Sequence, residues 1–393
     1  MIRVGFVVSS SQTRWMGGTN YLRNLLYAIH TLPDCSIDPV LITGHDTPDE
    51  VIDGFPPVEM LRTSLTEARN RFATAGKVLG RLGRNLIMER LLRQHGISAL
   101  SHSMHLGRFG GIPTIGWIPD FQHIHLPEFF SAAEIASRDA VYNRMCVLYS
   151  RIVVSSADVQ RDLVAFAPKA AHKTRVLRFV ARPAAPGPAV DLAELQARYG
   201  FSTPYIFLPN QFWAHKNHRV VVDALALLKR RGHGETLPLV ICTGHTNDSR
   251  RPDYFPALMR HVEEQGIGDA FRPLGLVPFA DVVALMRHSR AVLNPSRFEG
   301  WSTSVEEGKA MGKQVILSDL PVHREQAPAS GLYFSPDNPE ALADCMLTAL
   351  ATYDPAEDAR RQAAARAALP GQVEAFGARF QEIVRELVPA HTR

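Results

Sequence analysis

Ala291-Val292-Leu293-Asn294-Pro295-Ser296-Arg297-Phe298-Glu299-Gly300-Trp301-Ser302-Thr303-Ser304-Val305-Glu306-Glu307-Gly308-Lys309-Ala310-Met311-Gly312-Lys313-Gln314-Val315-Ile316-Leu317-Ser318 is the stretch whose reading decides the fold. The apolar run ending at Asn294 reads as a short buried strand, and Pro295 and Gly300 break it. Ser302, Thr303 and Ser304 are the small hydroxyl residues that begin helices, so a helix is expected near 303–311. Gln314 to Ser318 is strand-like again. A strand, a helix and a strand in so short a span argue for parallel strands covered by helices.

The same alternation extends outward. Strand-like residues 3–9 precede a Ser/Gly turn and a helix near 20–31; later come strand-like 114–118, a helix near 132–149, strand-like 151–155 and a helix near 157–165. Ala181-Arg182-Pro183-Ala184-Ala185-Pro186-Gly187-Pro188 breaks both periodicities, because repeated proline fixes φ and removes backbone donors. It is the best linker candidate. A second series follows, with strands at 205–208 and 239–243 and helices near 220–231, 255–265, 281–287 and 340–350. The expected fold is α/β, with two Rossmann-like doubly wound domains that bind ligands at the carboxyl ends of their strands. Residues 1–185 form the expected first domain and 186–355 the second, with an Ala- and Arg-rich helical tail over 356–393 that can cross back to the first.

Composition narrows the class. A chain of 393 residues is too long for one ordinary core and suits two. Hydrophobic residues at 46% and charged residues at 21% exclude a disordered or fibrous protein. No apolar run reaches the roughly 18 residues of a membrane span. Met1 leads straight into a strand pattern, which argues for a cytoplasmic protein without a signal peptide. Cys35, Cys146, Cys242 and Cys345 show neither disulfide nor zinc spacing and read as reduced thiols.

A net charge of +4 is too mild to argue for nucleic acid, yet the basic residues are unevenly placed. Arg62, Arg69, Arg71, Lys77, Arg81, Arg84, Arg90 and Arg93 are opposed only by Glu67 and Glu89, and Leu79, Leu82, Leu86, Ile87 and Leu91 recur at helical spacing. This is a basic amphipathic helix or pair. It reads either as a solvated face or as an adhesive surface for an anionic membrane, where each Lys or Arg contributes roughly 1 kcal/mol.

Glu299 stands on a loop and Glu307 inside the helix that follows. On one continuous helix they would lie two turns apart on different faces, so a shared proton is implausible and two grips on one extended ligand fit better. The first helical turn between them offers free N–H groups and the positive end of a dipole, a place for a diphosphate. Each carboxylate can accept from neighbouring sugar hydroxyls. Acidic residues near a helix start are also ordinary caps, so the residues alone leave both readings open.

Glu299-Gly300, the gap to Glu307, Gly308-Lys309-Ala310-Met311-Gly312 and the strand at Gln314-Val315-Ile316-Leu317-Ser318 closely resemble the signature of glycosyltransferase family 4, retaining enzymes of the GT-B fold. The resemblance implies that Glu307 binds the nucleotide ribose and that Glu299 contacts the donor sugar. Trp301, Ser302, Thr303 and Ser304 depart from the family's usual Phe-Gly-Leu-Pro, which makes the donor-sugar pocket unusual in shape.

In Pro209-Asn210-Gln211-Phe212-Trp213-Ala214-His215-Lys216, Lys216 matches the family's diphosphate-binding lysine, while Gln211 stands where an arginine is common. An ammonium can neutralise a leaving phosphate, and an amide can donate to it without adding charge. Asn210 belongs to the same donor-binding loop. Trp15-Met16-Gly17-Gly18-Thr19-Asn20-Tyr21 joins the first strand to its helix, and the resemblance assigns Gly17 and Gly18 to the donor phosphates and the acceptor mouth. In Pro119-Asp120-Phe121-Gln122-His123-Ile124-His125 it points to His123 as a contact to the donor sugar, with Asp120 on the acceptor side. Val277, in Gly275-Leu276-Val277-Pro278, is expected to frame the nucleobase.

The sequence has no Asp-x-Asp pair, Walker loop, Gly-x-Ser-x-Gly elbow or third ligand spaced to the His-x-His, so no metal or cofactor is expected. The expected activity is transfer of a sugar from a nucleotide diphosphate donor to a glycan or lipid-linked acceptor, with His123, Lys216 and Glu299 at the reacting centre. The rival readings are a same-fold epimerase or glycoside phosphorylase, and a non-catalytic subunit of a membrane glycan-assembly complex.

Overall fold

The computed structural model describes residues 1–8, 16–67, 70–102, 106–182 and 190–388. The linker residues 183–188, Trp15 and Arg69 lie outside them, as do the side chains of Arg71, Lys77 and Arg81. The chain forms two compact units. One comprises Met1–Phe121, Ala133–Val180 and Pro370–Arg393; the other comprises Gln122–Ala132 and Ala181–Leu369.

The first unit holds a parallel sheet built from β1 (Ile2–Val8), β2 (Ile37–Thr43), β3 (Glu59–Arg62), β4 (Ala99–Ser101), β5 (Thr114–Ile118), β6 (Arg151–Val154) and β7 (Thr174–Val176), ordered β3-β2-β1-β4-β5-β6-β7. Val4, Phe6 and Val8 on one face of the central β1 and Val7 on the other are buried, as expected of a parallel strand covered on both faces. Its helices are α1 (Met16–His30), α2 (Asp49–Ile52), α3 (Arg71–Arg81), α4 (Leu86–Gln94), α6 (Ala132–Leu148) and α7 (Ala157–Phe166). The sequence placed the first helix near residue 20, with Gly17 and Gly18 on the loop before it. The helix begins at Met16, so both glycines lie in its first turn. Burial of Tyr21, Leu22, Leu25, Leu26 and Ile29 drives α1, and packing of such a face outweighs the weak helix propensity of two glycines.

The basic segment is a pair of helices. Asn85 caps α4 by accepting from Met88 N at 3.1 Å, and the buried Glu89 pairs with Arg84 at 2.9 Å. Among the described residues no helix is long and apolar enough to cross a membrane. All four cysteines are free.

The second unit contains α5 (Gln122–His125), β8 (Tyr205–Leu208), β9 (Leu239–Cys242), β10 (Phe271–Pro273), β11 (Ala291–Asn294), β12 (Val315–Ser318) and β13 (Gly331–Phe334), with the six strands parallel in the order β10-β9-β8-β11-β12-β13. Side chains alternate between two cores. Ile206, Leu208, Val240, Leu293 and Ile316 enter one, and Tyr205, Phe207, Ile241, Val292 and Leu317 enter the other, as the two-residue period of a strand requires. The helices are α8 (Leu192–Tyr199), α9 (His218–Leu228), α10 (Tyr254–Gln265), α11 (Phe279–His288), α12 (Thr303–Ala310), α13 (Pro321–Gln326), α14 (Pro339–Ala351) and α15 (Pro355–Arg385), the last continuing into the first unit's residues. β8 and β11 are neighbours although three strands apart in the sequence. The strand order reverses between them, and it is beyond the carboxyl ends of the strands at such a point that open α/β sheets bind ligands.

Candidate functional site

Two loops leave that reversal point, one after Leu208 and one after Asn294. The first is held tightly. Phe212 N donates to His245 O at 3.0 Å, and Gly244, at φ +146°, lies so close that a Cβ there would sit 2.7 Å from Asn210 O and Gln211 Cα. The loop ends in a single turn, Ala214–Lys216, followed by Asn217 in the left-handed region at φ +58°. Asn217 Nδ2 donates to Pro295 O at 3.1 Å and Pro336 O at 2.8 Å, tying the first loop to the second.

The tie brings Lys216 and Glu299 together. Lys216 Nζ stands 2.7 Å from Glu299 Oε1, with the side chains 16% and 9% exposed. The same oxygen accepts from Ser296 Oγ at 2.7 Å and from Asn294 Nδ2 at 3.3 Å, leaving Oε2 outside these contacts. Burial pushes the carboxyl's pKa up, but the ammonium of Lys216 and the hydrogen bonds from Lys216 and Ser296 outweigh it and hold the pKa near 2. Glu299 is therefore ionised at every physiological pH. Behind it, Ser318 Oγ donates to Ser296 O at 2.5 Å, and His323 Nδ1 lies 2.8 Å from Ser318 O. Burial lowers the pKa of His323 and so favours the neutral ring.

The start of α12 is fastened to the same group. Ser302 is the N-cap, accepting from Val305 N at 3.5 Å, and its own N–H donates to Gln326 Oε1 at 3.2 Å. Asn294 Nδ2 reaches Ser302 Oγ at 2.7 Å and Ser304 Oγ at 3.1 Å, and Ser304 Oγ donates to Asn210 Oδ1 at 3.2 Å. Asn210 is buried, and among the described residues its Nδ2 meets no acceptor. The residues from Trp301 to Ser304 thus form the packed floor of the site: Trp301 is buried, and the two serines serve the network in place of an apolar turn. Thr303 and Gln211 are half-buried beside them.

Glu307, one helical turn farther on, lines a separate recess with Arg182, Phe279, Val282, Met286 and Met311. Burial pushes its carboxyl pKa up to about 7. The two glutamates are opposite in kind, one clamped in its charged form and the other held ready to take or lose a proton. Val277 is half-buried on the loop between β10 and α11.

The remaining expected residues lie on other elements. Gly17 and Gly18 lie in α1, and Asp120 follows β5 and pairs with Arg138 at 3.5 Å; all three belong to the first unit. His123 is buried in α5 within the second unit, its ring edge-on to Phe130 at 6.3 Å. His125 stacks at 5.1 Å on Phe298, the neighbour of Glu299. Asn294, Ser296, Ser318, His323, Gln326 and Asn217 escaped the sequence reading. Their signal is weak: polar residues where buried strands end, at Asn294 and Ser318, ask what they bond to.

Residues 203–352, within the second unit, match the family described as glycosyl transferases group 1. Among curated proteins, the D-inositol 3-phosphate glycosyltransferase of Corynebacterium glutamicum is 30% identical over 139 residues, 34% of this chain and 32% of that protein. The O-antigen chain mannosyltransferase RfbU of Salmonella typhimurium is 27% identical over 134 residues, 34% of this chain and 35% of its own length. The match therefore spans about a third of these relatives. Among solved structures, a Rickettsia africae glycosyltransferase superposes with a TM-score of 0.68 at 16% identity, covering 99% of each chain. Anabaena Alr3699/HepE, in complex with UDP and glucose, gives 0.69 at 17% identity, covering 98% of this chain and 100% of its own. The fold is the GT-B type of α/β architecture found in glycosyltransferases.

Proposed function

With the match to glycosyl transferases group 1 as the premise, we propose that this protein is a retaining glycosyltransferase that moves a sugar from a GDP- or UDP-sugar, of mannose type, to a glycan or lipid-linked acceptor in surface polysaccharide synthesis. The observation that carries the reading is the Lys216–Glu299 pair at the strand-order reversal of the second sheet, 2.7 Å apart. Glu299 Oε2 accepts from the transferred sugar, Lys216 and Gln211 receive the departing diphosphate, and Glu307 holds the ribose from its recess. The Salmonella relative named as an O-antigen mannosyltransferase and the Anabaena structure holding UDP and glucose support a donor of this class.

Among the described residues we assign no side chain as a covalent nucleophile. Departure of the diphosphate and attack by the acceptor on the same face is the mechanism we favour, with Lys216 supplying charge stabilisation that elsewhere comes from a cation, so that no metal is needed. His123 on the sugar, Gly17 and Gly18 on the phosphates and Asp120 on the acceptor complete the assignment.

The test is turnover of a panel of UDP- and GDP-sugars by the full chain, with and without EDTA, alongside Lys216→Ala, Glu299→Ala and Glu307→Ala. Release of nucleoside diphosphate that all three variants abolish is the expected result. Dependence on inorganic phosphate would assign a phosphorylase, and product formed without an acceptor an epimerase. A protein stabilised by no nucleotide and turning over none would be a binding subunit.

The protein acts, in this proposal, at the inner face of the cell membrane. Support comes from the α3–α4 pair, where Leu82 is 79% and Leu86 54% exposed among basic residues, and Phe109, 69% exposed, packs beside Gly83 between the helices. Apolar side chains standing in water beside cations suit an anionic lipid surface. Co-sedimentation with phosphatidylcholine vesicles should require added phosphatidylglycerol and be lost in Leu82→Asp; equal binding to neutral vesicles would remove the idea.

A further inference from the structure

At the amino ends of the same strands whose carboxyl ends carry Lys216 and Glu299, the second unit holds a second cavity, of about 410 Å³. Arg287, Arg290, Tyr353, Gln196 and Thr203 are among its lining residues. Arg198, Arg219, Arg231, Arg297, Arg324 and Arg360 each have a carboxylate partner. Arg287 and Arg290 have none among the described residues; the Arg290 guanidinium lies 3.7 Å over the Tyr353 ring, which fixes its plane without neutralising it.

One carboxylate, Asp358, is in the wall, and its capacity is already used. Lys313 Nζ donates to its two oxygens at 3.0 and 2.8 Å, Arg361 at 3.3 Å and Gln362 Nε2 at 2.7 Å. Lys313 is itself buried and bound to Arg287 O at 3.1 Å, which fixes the backbone that carries Arg287. In the lining, Arg287 and Arg290 stand against Asp358 alone, and the charge of Asp358 is already met by Lys313 and Arg361 behind it, which leaves the cavity positive.

We infer that this cavity is a binding site for a phosphate monoester. Two uncompensated guanidiniums present fixed forks of N–H donors that match phosphate oxygens, and such charge-assisted bonds are the strong ones. Gln196, whose Nε2 donates to Ser202 O at 3.4 Å and leaves its carbonyl to accept, and the Thr203 hydroxyl are polar lining that suits a hydroxylated carrier for that phosphate. The site does not depend on the proposed sugar transfer, and it is separated from Lys216 by the length of β8.

The experiment measures binding of glucose 6-phosphate and inorganic phosphate by isothermal titration to the full chain, to Arg287→Ala/Arg290→Ala, to Arg287→Lys/Arg290→Lys and to Lys216→Ala. Expected is a loss of roughly tenfold or more in affinity in the double alanine variant, as for charge-assisted bonds lost. The lysine variant should recover part of it, and Lys216→Ala should bind as the parent does. Flotation with phosphatidylcholine vesicles, with and without phosphatidic acid, separates the sources: binding that needs phosphatidic acid and both arginines assigns a lipid headgroup, and titration alone assigns a soluble ester. A parent that binds neither probe, or binding lost in Lys216→Ala and kept in the double alanine variant, overturns the inference. Unchanged circular dichroism melts of the two double arginine variants keep a folding defect from standing in for lost binding.

Discussion

Replacing Lys216 by Met keeps the length of the side chain and removes its charge. The Glu299 carboxyl is held near 2 against an ordinary 4.5, with burial opposing that shift and Lys216 the largest favourable influence. At roughly 1.4 kcal/mol per pH unit, the difference amounts to about 3 kcal/mol in favour of the folded state at neutral pH. The sign follows from a depressed acid: the contribution is fully present above pH 4.5 and is lost as pH falls through about 2. In Lys216→Met the desolvated carboxylate keeps only Asn294 and Ser296 as donors, so about 3 kcal/mol should go at pH 7, in line with other broken buried pairs.

Urea unfolding followed by tryptophan fluorescence reports this directly, since Trp213 and Trp301 flank the two partners. Lys216→Met should be destabilised at pH 7 and lose the parent's acid-dependent decline. Lys216→Met/Glu299→Gln should regain much of the stability, because the uncompensated charge is gone. A single variant within about 1 kcal/mol of the parent at pH 7, the size of a surface pair, would refute the reasoning. So would a double variant no better than the single.

Glu307 works in the opposite sense: its folded pKa is raised to about 7, so stability falls as pH rises from 4.5 to 7 and is level above that. Glu307→Gln should match the parent at pH 4, exceed it by up to about 3 kcal/mol at pH 8 and bind nucleoside diphosphates less well; an equal difference at both pH values in thermal melts would count against it. Gly244→Ala forces a Cβ to within 2.7 Å of the Asn210 and Gln211 backbone at φ +146°, and should cost at least about 2 kcal/mol and loosen Lys216, visible as a lower Tm and faster amide exchange over 209–217. Asn217→Ala removes the bonds to Pro295 O and Pro336 O and should cost about 2 kcal/mol in urea unfolding. If it melts as the parent does, the remaining ties, Arg297 N to His215 O at 2.8 Å and the Lys216–Glu299 pair, hold the loops without it.

Local reading of the sequence went furthest where local chemistry decides. The strand ending at Asn294, the loop holding Glu299, the helix opening at Ser302 and the strand ending at Ser318 all stand where periodicity and capping put them. Alternating apolar strands and amphipathic helices implied parallel sheets. The strand order was beyond such reading, since nothing within β8 or β11 says that they are neighbours. For the same reason, Lys216 and Glu299, 83 positions apart, read as separate binders of phosphate and sugar, whereas the ligand-free protein joins them in one ion pair. His323 and Gln326 were invisible because a six-residue helix carries too little periodicity to show which face is buried. The early start of α1 was missed because two glycines argue locally against a helix that its buried face demands.

A lysine already matched by an internal counter-ion has a further consequence. An incoming ion of single charge offers Lys216 little that Glu299 does not already supply, and it must also displace three donors from one oxygen's surroundings or live beside them. A ligand that brings several charges together, and hydroxyls to occupy the carboxylate in the same stroke, can satisfy both partners at once. The resting protein is in this way indifferent to the abundant small anions of its surroundings, and it selects by valence before it selects by shape.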